Sequence, residues 1–153
     1  MNNMKKEQEE QVSKKIRKRY IDANLFIYAT IDNEPIGKRA KNILRKIKEG
    51  EYMAYTSTLT VDKFLWRVQK EIGKELAEQT VSIFFDLPNL ELINVDKQII
   101  TSAVEIYKNE KLNPGDSIHL AAMKAKNIKA IISTDPDFDK IQNIKRIDFA
   151  KIK

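Results

Sequence analysis

The sequence predicts a three-layer α/β/α sandwich built on a parallel sheet of four to five strands. Two observations support this prediction. Short apolar segments alternate along the chain with segments whose apolar residues recur every three or four positions, as in amphipathic helices. The chain has 153 residues, of which 42% are hydrophobic, and no linker rich in Pro, Gly or Ser divides it, so we expect one core. Strands that alternate with helices favour a parallel sheet covered on both faces.

Residues 1–18 differ from the rest of the chain. They are almost wholly polar and carry many charges of both signs. Such a segment cannot bury enough apolar surface to fold by itself. We therefore predict a charged extension at 1–18, frayed helix or disordered, and a globular domain at 19–153.

The domain is predicted to begin with a strand at 19–22, after which the apolar residues 25–28 continue into a helix. A second helix is predicted at 36–49, and Gly50 supplies its stop. Its apolar face is formed by Ile36, Ala40, Ile43, Leu44 and Ile47.

The middle of the chain is predicted to add one strand and two helices. The second strand is residues 53–56, and Ser or Thr residues after it can cap a helix that carries Phe64, Leu65 and Val68. A further helix ends before Pro88, because the residue before a proline disfavours helical geometry.

The last part of the domain alternates strands and helices in the same way. Residues 90–95 form the predicted third strand, and Asp96 can cap the helix that follows. A helix at 116–126 leads into the fourth strand at 130–133, and 146–149 is a fifth.

Composition excludes several kinds of function. The chain has no cysteine, which excludes disulfides and thiolate chemistry and fits a reducing, cytoplasmic setting. Its single histidine excludes a multi-histidine zinc site within one chain. There is no apolar run of about 18 residues and no apolar leader, so we expect no membrane span and no signal peptide. The net charge of +6 favours polyanionic partners such as RNA.

Three aspartates lie where predicted strands end or helices begin. Asp22 follows the first strand, Asp135 follows the fourth, and Asp116 starts a helix after Pro114-Gly115. Each alone is compatible with a helix cap. The carboxyl ends of parallel strands line one crevice, however, so together the three predict a site for a hard cation such as Mg²⁺ or Mn²⁺.

The segments around these aspartates resemble the motifs of PIN domains, in particular archaeal VapC-type toxins. The resemblance covers about residues 19–150. It implies a metal-dependent endoribonuclease that uses Mg²⁺ or Mn²⁺, acts on RNA and is the toxin of a toxin–antitoxin pair. It also implies a homodimer and an antitoxin protein that covers the acidic cleft. The matching residues are Asp22, Asp116 and Asp135 as metal-holding catalytic residues, Asp137 as an outer acid, and Asn24, Ser133 and Thr134 as polar support.

The second motif departs from the family pattern. The family places an acid three residues after a threonine, and counting from Thr60 that position is Lys63. Asp62 lies one residue earlier, which on a helix is a turn of about 100°. Three interpretations stay open: the three aspartates bind the metal with water, Asp62 reaches the site if the helix begins differently, or the protein is catalytically impaired. The alternative function is accordingly an impaired PIN-like module that binds RNA or protein.

Two aromatic regions bear on partners. The segment from Phe64 to Trp66 favours core packing, with a partner surface as the alternative. Phe84 and Phe85 are adjacent and cannot both face the core, so one of them is expected at an interface. His119 lies three residues after Asp116, and we expect a hydrogen-bonded packing role for it.

Overall fold

The computed structural model describes residues 3–5 and 17–152. The predicted extension at 1–18 therefore lies almost wholly outside the described residues. Within 17–152 the strands are β1 Lys18–Ile21, β2 Met53–Ser57, β3 Leu90–Ile93, β4 Ala130–Ile132 and β5 Lys145–Ile147. The helices are α1 Ala23–Ile31, α2 Pro35–Lys48, α3 Thr58–Ile72, α4 Lys74–Phe85, α5 Lys97–Asn109 and α6 Pro114–Ala125, with a 3₁₀ helix at Pro136–Lys140.

All five strands are parallel and form one sheet in the order β3-β2-β1-β4-β5. The chain builds the sheet from β1 toward β3 on one side and later returns to add β4 on the other side of β1. This reversal opens a crevice at the carboxyl ends of β1 and β4, where α/β sheets bind their ligands. The predicted fold class is confirmed.

Two hydrophobic cores cover the two faces of the sheet. Tyr20 and Ile131 belong to the core beneath α5 and α6, whereas their chain neighbours Ile21 and Ile132 belong to the core beneath α1 to α4. This division follows from the strand period, because successive side chains point to opposite faces. The strands β2 and β4 and the end of β1 thus have both faces buried, as the inner strands of a parallel sheet require.

Glycines and caps define the helix ends. Gly50 has φ 78° just after α2, and Gly73 has φ 85° between α3 and α4, a region that favours glycine. The Asp96 carboxylate accepts a hydrogen bond from the backbone N–H of Ile99 at 2.9 Å and so caps α5, as predicted. The last helix, α6, begins at Pro114 rather than 116, because Asn113 is its N-cap.

The prediction that Trp66 packs in the core is wrong. Its side chain is 61% exposed, and the Lys70 ammonium lies 3.1 Å from the centroid of its ring. Phe64 takes the core position instead and is buried. The two residues are two positions apart on α3, about 200° around the helix, so only one can face the sheet. Of the next aromatic pair, Phe84 is half-buried and Phe85 is exposed, as expected.

No helix in the part of the chain that the structure describes is long and apolar enough to cross a membrane.

Candidate active site

Three segments meet at the carboxyl edge of the sheet, beside the crevice. Asp22 directly follows β1 and is the N-cap residue of α1. Asp135 follows β4 and caps the 3₁₀ helix by accepting a hydrogen bond from the backbone N–H of Asp137 at 2.9 Å. Asp116 lies in the first turn of α6 and is buried.

Three carboxylates form one tight group. Among the described residues, Asp116, Asp135 and Asp137 each offer an oxygen, and these oxygens all lie within 4.8 Å of one another. Asp137, which the sequence places only as an outer acid, is thus a full member of the group. Asp22 lies outside it, although the charge of Asp22 still acts on Asp116. We call Asp116, Asp135 and Asp137 the aspartate cluster.

Ser133 connects Asp22 to the aspartate cluster. Its hydroxyl donates to Oδ2 of Asp22 at 2.5 Å and accepts a hydrogen bond from the backbone N–H of Asp135 at 3.0 Å. Burial raises the pKa of Asp22, while the Ser133 hydrogen bond and the charge of Lys63 act in the opposite direction. Asp22 is therefore a buried carboxylate whose charged form depends on these two neighbours.

Asp116 is held by the side chain of Asn113. The Asn113 amide donates to Oδ2 of Asp116 at 2.8 Å, and Oδ1 of Asn113 accepts from the backbone N–H of Asp116 at 2.8 Å. Burial, followed by the nearby charge of Asp135, raises the pKa of Asp116 to about 7, and Lys63 opposes this rise. Because Asp116 is buried close to another carboxylate, it retains its proton up to near neutral pH.

Lys63 lies in the site, and Asp62 does not. The Lys63 Nζ is 3.4 Å from Nε2 of His119, whereas Asp62 is exposed on the outer side of α3. His119 is fully buried, and its Nδ1 lies 2.6 Å from the hydroxyl of Tyr20. Oδ1 of Asp22 is 3.9 Å from the same Nε2. The predicted hydrogen-bonded packing role of His119 agrees with this geometry.

The predicted polar support around the cluster includes Asn24 and Thr134. The Asn24 amide donates to Oγ1 of Thr134 at 2.8 Å, which ties the start of α1 to the loop after β4. Oδ1 of Asn24 is buried and has no hydrogen-bond partner among the described residues. An acceptor oxygen thus remains without a donor between the two segments that carry Asp22 and Asp135.

The residues present fit a divalent cation of the magnesium type. The aspartate cluster offers only oxygen ligands, which hard cations prefer. The raised pKa of Asp116 has the charge of Asp135 as one of its causes. Without a cation the carboxylates repel one another. A bound Mg²⁺ or Mn²⁺ would offset that repulsion and stabilise their charged forms.

Two contributors were missed by the sequence analysis. Asn113 could have been found, because an Asn three residues before an acid at a helix start is a reciprocal capping pattern. Arg146 could not: it reaches from β5 to donate to the backbone oxygen of Ser133 at 3.2 Å, and it pairs with Asp139 at 2.9 Å and Asp148 at 3.2 Å. It fixes the loop that carries Ser133 and Asp135 without touching a carboxylate of the cluster.

Comparison with known proteins identifies similar chains. The sequence model of the PIN domain matches residues 19–144, most of the chain. No curated protein sequence matches it.

Three solved structures have the same fold. A chain of the VapBC complex of Salmonella typhimurium bound to DNA is 17% identical with a TM-score of 0.67, covering 88% of this chain and 99% of that one. VapBC2 of Rickettsia felis bound to a DNA fragment from its promoter gives 18% identity and a TM-score of 0.66, with 85% and 97% covered. Mycobacterium tuberculosis VapC20, a Sarcin-Ricin loop cleaving toxin, is 15% identical with a TM-score of 0.65, and the match covers 79% of this chain and 92% of that one.

Proposed function

Because this chain belongs to the PIN domain family, we propose that it is a Mg²⁺- or Mn²⁺-dependent endoribonuclease and the toxin of a toxin–antitoxin pair. The observation that carries this proposal is the aspartate cluster, whose carboxylate oxygens lie within 4.8 Å of one another beside the buried Asp22. The cation, when bound, supplies Lewis-acid stabilisation of a phosphate and a more acidic water.

The residues of the site have two roles in this proposal, cation binding and orientation of the binding carboxylates. Asp116, Asp135 and Asp137 would hold the cation, with Asp22 completing its surroundings. Asn113 sets the direction of the Asp116 carboxylate through its amide hydrogen bond. Ser133 does the same for Asp22. Because water is the nucleophile in this scheme, the chemistry requires no cysteine, and the chain has none.

RNA as the substrate is supported by charge and by one similar structure. The chain as a whole carries a net charge of +6, which favours association with a polyanion. VapC20 of Mycobacterium tuberculosis is a toxin that cleaves the Sarcin-Ricin loop. An RNA target inside the cell agrees with a cytoplasmic location, which we propose together with the activity.

An antitoxin partner is supported by the VapBC complexes among the similar structures. We propose a small protein that covers the acidic cleft of this chain. Covering the cleft would keep RNA from the aspartate cluster, which is how a toxin of this kind would be kept inactive.

A homodimer is supported by an exposed apolar stripe on α5. Ile100, Val104 and Tyr107 are 41%, 47% and 55% exposed and follow one another at the spacing of one helix face. With Pro114 and Ile118 they line a shallow groove of about 310 Å³ between α5 and α6. Apolar surface of this kind on a soluble domain marks a protein contact, and we propose that a second copy of the chain covers it.

Cleavage of a labelled RNA tests the activity. The parent should cut RNA with Mn²⁺ and not with EDTA, and a DNA of the same sequence should be cut much more slowly. Asp116→Asn and Asp135→Asn should lose at least about a hundredfold in rate, because even the loss of an outer-shell partner of a metal ligand typically costs about 10–100-fold. Asp62→Asn is the matched control, because Asp62 is an exposed acid outside the cluster. Equal rates in Asp116→Asn and the parent would reject the proposal.

The second candidate function is a module that binds RNA or protein without cutting. It is favoured by one observation, the presence of Lys63 where the family has an acid. The same assay separates the two candidates. Binding of RNA in the absence of any Mn²⁺-dependent cleavage would select the binding module.

A further inference from the structure

We propose that Lys63 is a substrate-binding residue whose ammonium group contacts a phosphate oxygen of the RNA beside the aspartate cluster. The proposal rests on the proposed function for the identity of the ligand. Lys63 is then an adaptation of this chain, because it supplies a fixed positive charge in a cleft that is otherwise acidic.

The first step is that Lys63 is held inside the site. Its side chain is half-buried, and its Nζ lies 3.4 Å from Nε2 of His119. The neighbouring Phe64 is buried in the core and fixes the face that α3 turns to the sheet. A lysine on a helix keeps most of its rotamer freedom when it extends into water, so holding it inward has an entropic cost. The structure holds it inward nonetheless.

The second step is that His119 offers a suitable acceptor. His119 is fully buried beside the Tyr20 hydroxyl, and in its neutral form one ring nitrogen is an acceptor. When Nε2 accepts from the lysine, the proton of the neutral ring is on Nδ1, which can donate to the hydroxyl of Tyr20 at 2.6 Å. The ammonium therefore ends a buried hydrogen-bond chain that starts at β1.

The third step is that Gly115 leaves room for the ammonium. A Cβ built on Gly115 would lie 2.7 Å from Nζ of Lys63 and 3.1 Å from its Cε. Any other residue at the start of α6 would displace the end of the lysine. Lys63, His119 and Gly115 thus fit one another in this conformation, and a Cβ at position 115 would move the lysine end from its place beside His119.

The fourth step concerns charge. Oδ1 of Asp22 lies 3.9 Å from Nε2 of His119, and the same nitrogen lies 3.4 Å from the Lys63 ammonium, so the ammonium stands beside a carboxylate of the site. A cleft lined with carboxylates repels an RNA phosphate until cations offset them. A fixed ammonium at its wall supplies part of that offset and donates a charge-assisted hydrogen bond to the incoming oxygen.

Binding of a labelled single-stranded RNA in EDTA tests the proposal, because no cleavage occurs without metal. Lys63→Met should raise the dissociation constant about tenfold, the usual effect of one charged hydrogen bond. It should also reduce the slope of log affinity against log salt by about 0.7, the value for one lost phosphate contact on a single strand. Gly115→Ala should weaken binding in the same direction with no change of charge, and Lys63→Arg should recover part of the loss.

Lys48→Met is the matched control. Lys48 ends α2, and its backbone oxygen accepts from Asn89, which directly precedes β3, so it lies at the amino-terminal edge of the sheet, opposite the site. This variant removes the same charge and should leave the dissociation constant within about twofold. Unchanged binding in Lys63→Met, or an equal loss in Lys48→Met, would overturn the proposal.

The outcomes also separate this inference from the proposed function. If the parent cuts RNA but Lys63→Met binds it normally, the nuclease assignment stands and the role of Lys63 is wrong. If binding depends on Lys63 but Mn²⁺ produces no cleavage, the inference stands and the nuclease assignment fails. If the parent binds no RNA, the role of Lys63 is wrong, and the cleavage assay alone decides the function.

Discussion

Asn113 forms hydrogen bonds to Asp116 through both the oxygen and the nitrogen of its side-chain amide. Its oxygen accepts the backbone N–H of Asp116 at 2.8 Å, and its nitrogen donates to the carboxylate at 2.8 Å. The Asn113 side chain thus caps α6 and also orients the Asp116 carboxylate of the aspartate cluster. Helix stability and ligand geometry are coupled at this residue, and the two effects can be separated by substitution.

Asn113→Ala should lower both the stability and the metal affinity. Loss of the cap should cost about 1 kcal/mol, and loss of the amide donor should weaken Mn²⁺ binding about tenfold. Asn113→Ser keeps an oxygen that can cap the helix but has no amide donor for the carboxylate. It should retain the melting temperature and still lose Mn²⁺ affinity in calorimetry. Parental Mn²⁺ affinity in Asn113→Ser would show that the amide does not position Asp116.

Asp116→Asn should stabilise the metal-free protein at neutral pH. The pKa of Asp116 rises from 3.8 to about 7 in the folded protein, so between these values the folded state keeps a proton that the unfolded state has released. Stability is therefore lost as the pH rises through this window. The variant should gain about 1–2 kcal/mol, or roughly 2–8 °C, at pH 8 in EDTA.

That gain should disappear near pH 4, where Asp116 is protonated in the folded protein and does not repel its neighbours. Thermal unfolding at both pH values measures the difference. Asp62→Asn, at an exposed acid on α3, is the control and should show no gain at either pH. A gain in Asp116→Asn that is equal at both pH values would place its cause outside the ionisation of this carboxylate.

Mn²⁺ binding should strengthen as the pH rises through about 7. The proton on Asp116 must leave before its oxygen can bind the cation. At pH 6, calorimetry in two buffers with different ionisation enthalpies should therefore detect the release of about one proton for each ion bound. An affinity that is constant between pH 5.5 and 8 would show that Asp116 is not a ligand.

The fold could be predicted from the sequence because its signals are local. The inner strands β2 and β4 contain short apolar runs, β1 ends in one, and most helices carry a face of regularly spaced apolar residues. Asp22 and Asp135 could be placed at one edge because they follow strands that had to be parallel. The helix start at Pro114 was missed, although an Asn directly before a Pro at the first helical position is a signal for a helix N-cap.

Other features of the site depend on tertiary contacts. Asp137 joins the aspartate cluster because the 3₁₀ turn after Asp135 brings it back, and that turn is tied to β5 by the ion pair of Asp139 with Arg146. The inward position of Lys63 depends on His119 and on space at Gly115, far away in sequence. Trp66 was misplaced because its apolar character was taken as a sign of core packing, although it lies about 200° around α3 from the buried Phe64.

Ser133→Ala should lower both the stability of the protein and its affinity for Mn²⁺. The substitution removes the only hydroxyl that the described residues offer to Oδ2 of Asp22 and leaves that carboxylate buried. Loss of one hydrogen bond to a buried charged group costs about 1.5–3 kcal/mol, so the melting temperature should fall and Mn²⁺ affinity should drop about tenfold. Ser82→Ala, at an exposed position on α4, is the control for loss of a serine hydroxyl. Parental Mn²⁺ affinity in Ser133→Ala would mean that Asp22 lies outside the metal site.

Val104→Glu should convert the proposed homodimer into a monomer. Val104 is the centre of the exposed stripe on α5, between Ile100 and Tyr107, so a carboxylate there would be buried without a partner in a dimer. The dissociation constant of the dimer should rise at least about tenfold, which sedimentation at micromolar concentration resolves. Ser102→Glu adds the same charge about 200° away on the same helix, where the surface is exposed, and should leave the dimer intact.

A parent that sediments as a monomer would remove the dimer from the proposal. Dimers of equal strength in both variants would move the contact away from α5, and the exposed Trp66 would be the next residue to replace.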